Sequence, residues 1–369
     1  MKLRGYDFFN AIGAPKRIVA PMVDQSELAF RMLCRRHGAE LCYTPMFHSR
    51  LFAESPAYRE KMFEQHVHDR PLIVQFCGND PQTMLAAAKL VEGHCDAVDL
   101  NLGCPQGIAR KGRYGSFLMQ DKAAVRAIVE TLSAHLAVPV TVKIRVFPDE
   151  QETLEFCDML QAAGCDLLVV HGRTKEMNKT AVRAADWGIV QRIKARLTIP
   201  VVANGGIEAP GDVQRCLDAT HADGVMSSEA ILENPALFSR RDRTTTATAT
   251  PSLSYVALAT EYLALAEDFP PASDKIVRAH LFKLLFQDLR VHTDLRDALA
   301  AAKTRVHMAA IVREVETRAA DPSHPQHRPV VYAAATSWYR RHREGQERVR
   351  ARQNSFEGAA AAGLHDIFG

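Results

Sequence analysis

The chain has 369 residues, which is more than one typical domain and short for three. Hydrophobic residues make up 47% of it and charged residues 24%, as in soluble globular proteins with a sizeable core. No apolar run is long enough to cross a bilayer, and residues 1–17 lack the apolar segment of a secretory signal. We therefore expect a cytoplasmic protein without membrane association, and these features do not distinguish the cytoplasm from the nucleus.

Cysteine spacing and charge distribution narrow the function classes further. None of the 8 cysteines forms a CxxC pair, so the sequence indicates neither a metal site nor a disulfide framework. The net charge of +3 is uneven, because residues 240–369 contain 19 Lys and Arg against 15 Asp and Glu. This excess is compatible with a polyanionic partner and equally with an ordinary solvated surface.

Short β-branched runs alternate with amphipathic stretches through the first two thirds of the chain. The predicted strands lie at 18–21, 41–44, 72–76, 97–100, 140–144, 167–170, 200–203 and 224–226. The predicted helices between them include 27–36, 81–92, 123–135, 153–163, 187–197 and 211–217. Eight such units in about 240 residues predict a closed (β/α)8 TIM barrel of the α/β class. An open doubly wound sheet is the alternative, but no GxGxxG turn follows the first strand.

A Thr-rich segment of low apolar content, residues 240–252, follows the last predicted strand, and no strand is predicted after it. Three stretches with a period of 3.6 residues follow, at 255–269, 273–289 and 295–319, and they predict a smaller all-α domain. The chain beyond 340 is basic and then rich in Ala and Gly, so we expect it to be disordered. The predicted divisions are a catalytic barrel at 1–240, a linker at 241–252, a helical domain at 253–340 and a tail at 341–369.

Cys104 is the most informative single residue. It follows a short apolar strand and Asn101, on a loop that contains Gly103 and Pro105. A loop at the end of a buried barrel strand carries chemistry more often than packing, whereas most single cysteines are buried structural thiols. The loop position therefore favours a functional thiol.

Residues with candidate functional roles also follow the other predicted strands. They are Pro21, Met22 and Val23 after the first strand, Gln75 at the third, Lys143 and Arg145 at the fifth, His171 and Arg173 at the sixth, Asn204, Gly205 and Gly206 at the seventh, and Ser228 and Glu229 at the eighth. These strand ends converge on one mouth of a barrel, where the active sites of this fold lie. The Gly205–Gly206 pair offers unobstructed backbone N–H groups, which is typical of a phosphate-binding loop, although a plain tight turn would also use it.

The order of these segments resembles the tRNA-dihydrouridine synthases, flavin enzymes that reduce uracil in transfer RNA. The matching segments are Ala-Pro-Met-Val at 20–23, Gln75, Asn-Leu-Gly-Cys-Pro at 101–105, Tyr-Gly-Ser-Phe-Leu at 114–118, Val-Lys-Ile-Arg at 142–145, His-Gly-Arg-Thr at 171–174 and Asn-Gly-Gly-Ile at 204–207. The segments at 223–227 and 234–238 look like the eukaryotic subgroup that acts on D-loop uridines 16 and 17.

This resemblance implies FMN in the barrel mouth and NADPH or NADH as the electron donor. The residues implied to hold FMN are Pro21, Met22, Val23, Gln75, Asn101, Lys143 and His171 around the ring and ribityl chain, and Asn204, Gly205, Gly206, Ser228 and Glu229 at the phosphate. Two positions depart from the family pattern. Ala230 stands where Gly is usual and Gly206 where Asn or Asp is usual, which puts the detail of the phosphate contacts in doubt.

The resemblance also implies that reduced flavin delivers hydride to C6 of uracil while Cys104 protonates C5. A thiol with a pKa of about 8.5 is mostly protonated at neutral pH and able to donate. Binding of tRNA is expected to use Arg145 and Arg173 at the site and Lys275, Arg278, Lys283 and Arg290 in the helical region. No obligate protein partner is indicated, and we expect a monomer.

Two other functions stay open at the level of the sequence. One is an FMN-dependent barrel oxidoreductase acting on a small pyrimidine-like molecule, and the other is a non-catalytic RNA-binding protein. The appended basic helical region favours a macromolecular substrate over a small one. The sequence does not show which uridines are reduced or which nicotinamide is preferred.

Overall fold

A computed structural model describes residues 2–178, 181–239, 254–328, 330 and 341. Nine strands within these residues form one sheet: β1 Arg17–Val19, β2 Leu41–Tyr43, β3 Phe47–His48, β4 Leu72–Cys77, β5 Ala97–Leu102, β6 Val140–Arg145, β7 Leu167–His171, β8 Val201–Asn204 and β9 Gly224–Ser227. All the strand pairs are parallel, and pairing of β2 with both β1 and β4 closes a ring of eight strands. The predicted TIM barrel is therefore confirmed. Among the described strands, β3 pairs with β4 alone. The sequence did not predict β3, because two residues are too few to show a periodic pattern.

Helices cover the outside of the barrel and one of its ends. They are α1 Gly5–Ala11, α2 Leu28–Arg36, α3 Ser49–Glu54, α4 Pro56–Met62, α5 Pro81–Lys89, α6 Gly107–Gly112, α7 Lys122–His135, α8 Glu150–Ala162, α9 Trp187–Arg196, α10 Pro210–Thr220 and α11 Ala230–Glu233. Asp80, Asp121 and Asp149 each cap a helix by accepting a hydrogen bond from a backbone N–H in its first turn. These caps fix where the helices start, because the first N–H groups of a helix have no partner within it.

The barrel contains two separate apolar layers. Side chains that point inward, such as Ile18, Tyr43 and Val169, form a cluster that Phe8 and Phe9 of α1 close from one end. The alternate side chains of the same strands pack outward against the helices in a larger cluster. Strand residues are thus buried on both faces, which explains why these strands read as continuous apolar runs.

The helical region is more broken than the sequence predicted. It contains α12 Tyr255–Asp268, α13 Asp274–Leu284, α14 Phe286–Val291, α15 Thr293–Ala301 and α16 Arg305–Ala320. The predicted helix at 273–289 breaks at Leu285, and the predicted helix at 295–319 breaks between Ala302 and Thr304, where Thr304 caps α16. Periodicity indicated the buried face correctly but not these breaks, because a new capped helix can continue the same apolar pattern.

The helical region packs directly on the barrel. Glu27, just before α2, accepts a hydrogen bond of 2.8 Å from Tyr262 Oη and lies 3.0 Å from His280 Nε2. All three side chains are buried, and the His280 ring stacks on Phe30 with 4.4 Å between ring centroids. A single hydrophobic cluster runs from the barrel helices into α12, α13 and α16. The two predicted domains therefore share one core.

Two predicted segments fall outside what the structure describes. They are the linker at 241–252 and, apart from Arg341, the tail at 341–369. Among the described helices, none is both long and apolar enough to cross a membrane.

Candidate functional site

A cavity of about 460 Å³ opens at the carboxyl ends of the barrel strands. The predicted site residues that line it are Pro21, Met22, Val23, Gln75, Asn101, Cys104, Lys143, Arg145, His171, Asn204, Ser228, Glu229 and Lys283. Parallel strands in a barrel all end on the same side, so residues far apart in sequence meet here. The structure thus brings together most of the residues that the sequence singled out.

The Cys104 loop is held by hydrogen bonds to its backbone. Asn101 Oδ1 accepts from the N–H groups of Gly103 and Cys104 at 3.1 and 3.0 Å, and the Cys104 carbonyl accepts from Ser116 N and Oγ. Gly115 has φ +63°, and an added Cβ would lie 2.6 Å from the Cys104 carbonyl oxygen. The loop is therefore fixed through its main chain, and Cys104 lines the cavity.

Burial has the largest effect on the pKa of the Cys104 thiol. It raises the pKa of Cys104, against smaller opposing effects of the Gln106 backbone hydrogen bond and the nearby Arg145 and Lys143. The thiol consequently stays protonated at neutral pH and can act as a proton donor.

A buried polar chain links the floor of the cavity to the Cys104 loop. Gln75 Nε2 donates to Asp99 at 2.8 Å, Asn101 Nδ2 donates to Gln75 Oε1 at 2.8 Å, and Thr141 Oγ1 donates to Asp99 at 2.5 Å. Burial raises the pKa of Asp99 to about 6, although these hydrogen bonds oppose the shift. Asp99 was not among the predicted site residues, although an acidic residue within the otherwise largely apolar strand Ala97–Leu102 could have indicated it.

Three cationic side chains, Lys143, Arg145 and Lys283, line the cavity together with two acids, Glu229 and Glu233. Burial, reinforced by repulsion from Arg145, lowers the pKa of Lys143 to about 8. Arg145 donates to the carbonyl oxygens of Gly103 and Thr174 at 2.9 and 2.8 Å, so part of its guanidinium is already used by the protein. The remaining positive charge suits an anionic or electron-rich ligand.

His171 is held as a neutral imidazole. Its burial, followed by the effects of Arg145, Lys143 and Arg173, lowers its pKa well below the ordinary value. Arg173 Nη1 lies 3.2 Å from His171 Nε2, and because a guanidinium can only donate, Nε2 accepts and the ring proton is on Nδ1. The ring therefore offers an N–H donor from Nδ1.

The loop after β8 has the features of an anion cradle. Gly205 and Gly206 have φ of +99° and +79°, and an added Cβ on Gly205 would lie 2.9 Å from the His171 ring. Trp187 Nε1 donates to the Gly205 carbonyl at 3.0 Å and fixes the loop from behind. The Asn204 side-chain oxygen is buried and has no hydrogen-bond partner among the described residues. Both glycines line a second, small pocket beside the main cavity.

Glu229 lines both the main cavity and this small pocket. Burial raises its pKa to about 7, and Arg173, Arg145 and Lys143 oppose that rise. Its carboxyl group can therefore be neutral or ionised near physiological pH. A neutral carboxyl can donate a hydrogen bond to a phosphate, whereas an ionised one repels it.

Four of the predicted substrate-binding residues do not line the cavity. Arg173 is buried and donates to the Arg183 carbonyl, Arg278 donates to the Ala302 carbonyl at 2.7 Å, and Lys275 and Arg290 lie on the surface of the helical region. Lys283, on α13, is the predicted residue of that region that reaches the mouth.

The cavity also contains residues that were not predicted from the sequence, which are Gln25, Met46, Gln106, Leu232 and Glu233. In the sequence, only their closeness to a strand end or to α11 could have indicated these residues.

Comparison with known proteins decides the family. The model of the family described as dihydrouridine synthase matches residues 18–321. The chain belongs to the dihydrouridine synthase family. A Schizosaccharomyces pombe protein named tRNA-dihydrouridine(16/17) synthase [NAD(P)(+)] is 48% identical, covering 82% of this chain and 77% of its own length. A Rattus norvegicus protein with the same name followed by "-like" is 47% identical, covering 86% of this chain and 70% of its own length. A Saccharomyces cerevisiae protein of the same name as the Schizosaccharomyces pombe one is 45% identical, covering 82% of this chain and 73% of its own length.

Membership in the dihydrouridine synthase family confirms the resemblance inferred from the ordered motifs, and with it an oxidoreductase activity. The matched segment extends beyond the barrel to residue 321, so it includes the helical region. The roles of individual side chains stay predictions. Among the described residues, no group of three His, Cys, Asp or Glu could hold a metal ion.

Proposed function

We propose that this protein reduces the C5–C6 double bond of uridines 16 and 17 in the D-loop of tRNA, using FMN and NADPH or NADH. The single observation that carries the proposal is that the Cys104 loop, Lys143 and His171 line one cavity at the carboxyl ends of the strands. The names of the relatives support the uridine positions. A Homo sapiens relative named for positions 20a/20b is only 36% identical over 62% of this chain.

The residues present fit FMN. The backbone N–H groups of the two glycines in the β8 loop can donate to a phosphate, and the orphaned Asn204 oxygen can accept from a hydroxyl of the ribityl chain. Lys143 supplies a cation in the cavity, and Met22 and Val23 supply an apolar surface for a flat ring. When bound, FMN carries hydride from the nicotinamide to the uracil, chemistry that no side chain of this protein can supply.

Cys104 provides the proton in this proposal. Hydride adds to C6 of the uracil and the thiol proton adds to C5, so the double bond gains two hydrogens and the thiolate is reprotonated from solvent. The raised pKa of Cys104 keeps the donor protonated before the step. Lys143 and Arg145 lie close enough to influence the thiol electrostatically and would stabilise the thiolate afterwards.

The target uridine must leave its stack to reach this cavity, as in other base-modifying enzymes. We propose that tRNA contacts Lys283 at the mouth and Lys275, Arg278 and Arg290 farther along the helical region, with Arg145 and Arg173 supporting the pocket. The protein would act as a monomer in the cytoplasm or nucleus. Binding that depends on phosphates weakens steeply as salt rises.

The test is to supply purified protein with FMN, NADPH and either an unmodified tRNA transcript or free uridine. We expect dihydrouridine at positions 16 and 17 of the transcript and none from free uridine, measured by mass spectrometry of nuclease fragments. Cys104→Ala should retain FMN and nicotinamide oxidation but lose at least about 100-fold in dihydrouridine formation. Reduction of free uridine would instead favour a small-molecule oxidoreductase, and protein unable to bind flavin would favour a non-catalytic RNA-binding role.

A further inference from the structure

The short helix α6 has two dissimilar faces. On its inner side Ala109 is buried and Tyr114, just beyond the helix, packs edge-on against His48 with 5.5 Å between ring centroids. On its outer side Ile108, Arg110 and Lys111 are exposed, and Ile108 retains 65% of its accessible surface. The inner face explains how α6 is anchored, but nothing in the described fold uses the outer face.

The position of α6 makes this outer face relevant to the site. Cys104, Pro105 and Gln106 line the cavity, and α6 begins at the next residue. The Ser116 hydrogen bonds to the Cys104 carbonyl and the Asn79 Nδ2 hydrogen bond of 3.3 Å to the Gly112 carbonyl hold both ends of the segment. The outer face of α6 is therefore a fixed part of the cavity rim.

Positive charge on this rim is not neutralised by acidic side chains of the described residues. From Cys104 to Gln120 the chain contains Arg110, Lys111 and Arg113 and no acidic residue. In the described part of the chain, no carboxylate forms an ion pair with these three side chains. Exposed cations elsewhere are commonly paired, as Arg36 is with Glu261. An uncompensated basic rim beside a cavity attracts a polyanion.

Arg113 adds a second, independent observation. It ends α6 in the left-handed region with φ +53°, where glycine is the usual residue. An L-residue with a long side chain is energetically unfavourable in that conformation, and such costs are often found at functional sites. Glycine would suit this backbone better than arginine, and the exposed guanidinium is available to bind a ligand.

We propose that the outer face of α6 is an RNA-contacting surface. Arg110, Lys111 and Arg113 bind phosphates that flank the target uridine, and Ile108 enters the space in the stack that the uridine leaves. Apolar side chains inserted between bases play this part in proteins that unstack nucleic acids. The inference rests on the proposed function, since it takes RNA as the substrate, and it adds the element that grips the target nucleotide.

The charge contribution is tested with Arg110→Gln/Lys111→Gln and the matched control Lys16→Gln/Lys89→Gln. Both variants lose two positive charges, but the control residues lie at the amino-terminal end of the strands, opposite the mouth. Binding of an end-labelled, unmodified tRNA transcript is measured against KCl concentration. The α6 variant should show a slope of log affinity against log salt that is shallower by about 1.5, while the control keeps the wild-type slope. Equal slopes in all three proteins would overturn the proposal.

Arg113→Gly separates RNA binding from folding. Glycine suits the left-handed backbone, so the variant should melt no lower than the wild type and retain its flavin. It should nevertheless bind the transcript with a slope shallower by about 0.8, because one phosphate contact is lost. A variant that binds RNA as well as the wild type contradicts a role for this guanidinium.

The role of Ile108 is tested with Ile108→Ala, and Val67→Ala serves as the control because Val67 is similarly exposed, at 76%, away from the cavity. The transcript carries 2-aminopurine beside uridine 16, whose fluorescence rises when its neighbour unstacks. We expect Ile108→Ala to bind within about twofold of the wild type but to lose most of the fluorescence rise and about tenfold in kcat. An unchanged fluorescence rise would remove the wedge role.

The proposal can fail without the function failing. Wild-type protein that forms dihydrouridine in the transcript, with α6 variants that bind and react like it, overturns the α6 surface alone. Wild-type protein that binds flavin but never reduces the transcript overturns the proposed function as well.

Discussion

At the residue scale, burial decides the chemistry of the cavity. The ordinary pKa of a carboxyl is far below neutrality, yet burial raises that of Glu229 to about 7. Burial acts in the opposite direction on Lys143, whose pKa falls to about 8. Both groups therefore lie within reach of physiological pH changes, because desolvation always disfavours the charged form.

We expect Glu229 to make FMN binding depend on pH. Below pH 7 its carboxyl is protonated and can donate to the phosphate, and as pH rises through about 7 it ionises and repels that phosphate. The FMN affinity of the wild type should therefore fall, between pH 6 and 8, relative to that of Glu229→Gln. Flavin fluorescence titrations at several pH values measure this, and parallel profiles for the two proteins would show that Glu229 does not face the phosphate.

At the element scale, the loop between β8 and α10 owes its shape to glycine. Gly205 combines a positive φ with a close approach to His171 and Ala185, so a side chain there meets both backbone strain and a steric clash. Gly13 also has a positive φ, of +88°, but an added Cβ would have nothing within 4 Å. Substitutions at Gly13 and Gly205 therefore distinguish the effect of backbone strain, which both share, from the effect of a steric clash, which only Gly205 has.

Gly205→Ala should weaken FMN binding by at least about tenfold, because the added methyl group displaces His171. Gly13→Ala carries a similar backbone cost, of about 1 kcal/mol, and should leave FMN affinity unchanged. Flavin titration and chemical denaturation of both variants give the two quantities. Equal FMN affinities would mean that the β8 loop does not form the cofactor site.

At the scale of the whole molecule, one buried cluster joins the helical region to the barrel. Glu27 contacts Tyr262 and His280 across more than 230 positions of sequence. His280 lies three residues before Lys283 on α13, so the same contact fixes the helix that brings Lys283 to the cavity mouth. The helix that stabilises the junction therefore also carries Lys283, the residue proposed to contact tRNA at the mouth.

Glu27→Gln should lower the free energy of unfolding by about 3 kcal/mol, because it removes one charge of a buried pair. The control Glu261→Gln removes a partly exposed partner of Arg36 and His37 at the same junction and should cost less than about 1 kcal/mol. Urea denaturation of the two variants measures the difference. Similar losses would indicate that the buried cluster is no more important than the surface pairs.

The Glu27 contribution also has a defined pH dependence. Burial alone would raise its pKa, but the charge and hydrogen bond of His280 and the Tyr262 hydrogen bond lower it below the ordinary 4.5. The ionised form is therefore favoured in the folded protein, and the stabilisation is present above pH 4.5 and lost as pH falls through the depressed pKa. The stability gap between wild type and Glu27→Gln should narrow in that acidic range.

The sequence by itself determined the barrel, the family and most of the cavity wall. Period-two and period-3.6 patterns depend on local geometry, and residues after parallel strands must meet at one mouth, so Cys104, Lys143 and His171 could be placed together before any contact was known. Segment boundaries were accurate to a few residues where a cap such as Asp121 marks them.

Only the tertiary structure decided which partner each buried polar group has. Nothing local to Glu27 indicates His280, and nothing in α13 distinguishes Lys283, at the mouth, from Lys275, on the surface. The apolar periodicity of a helix predicts which face is buried but not which element packs against that face. That choice, and the pKa shifts of Asp99 and Glu229 that follow from it, depends on how the whole chain packs.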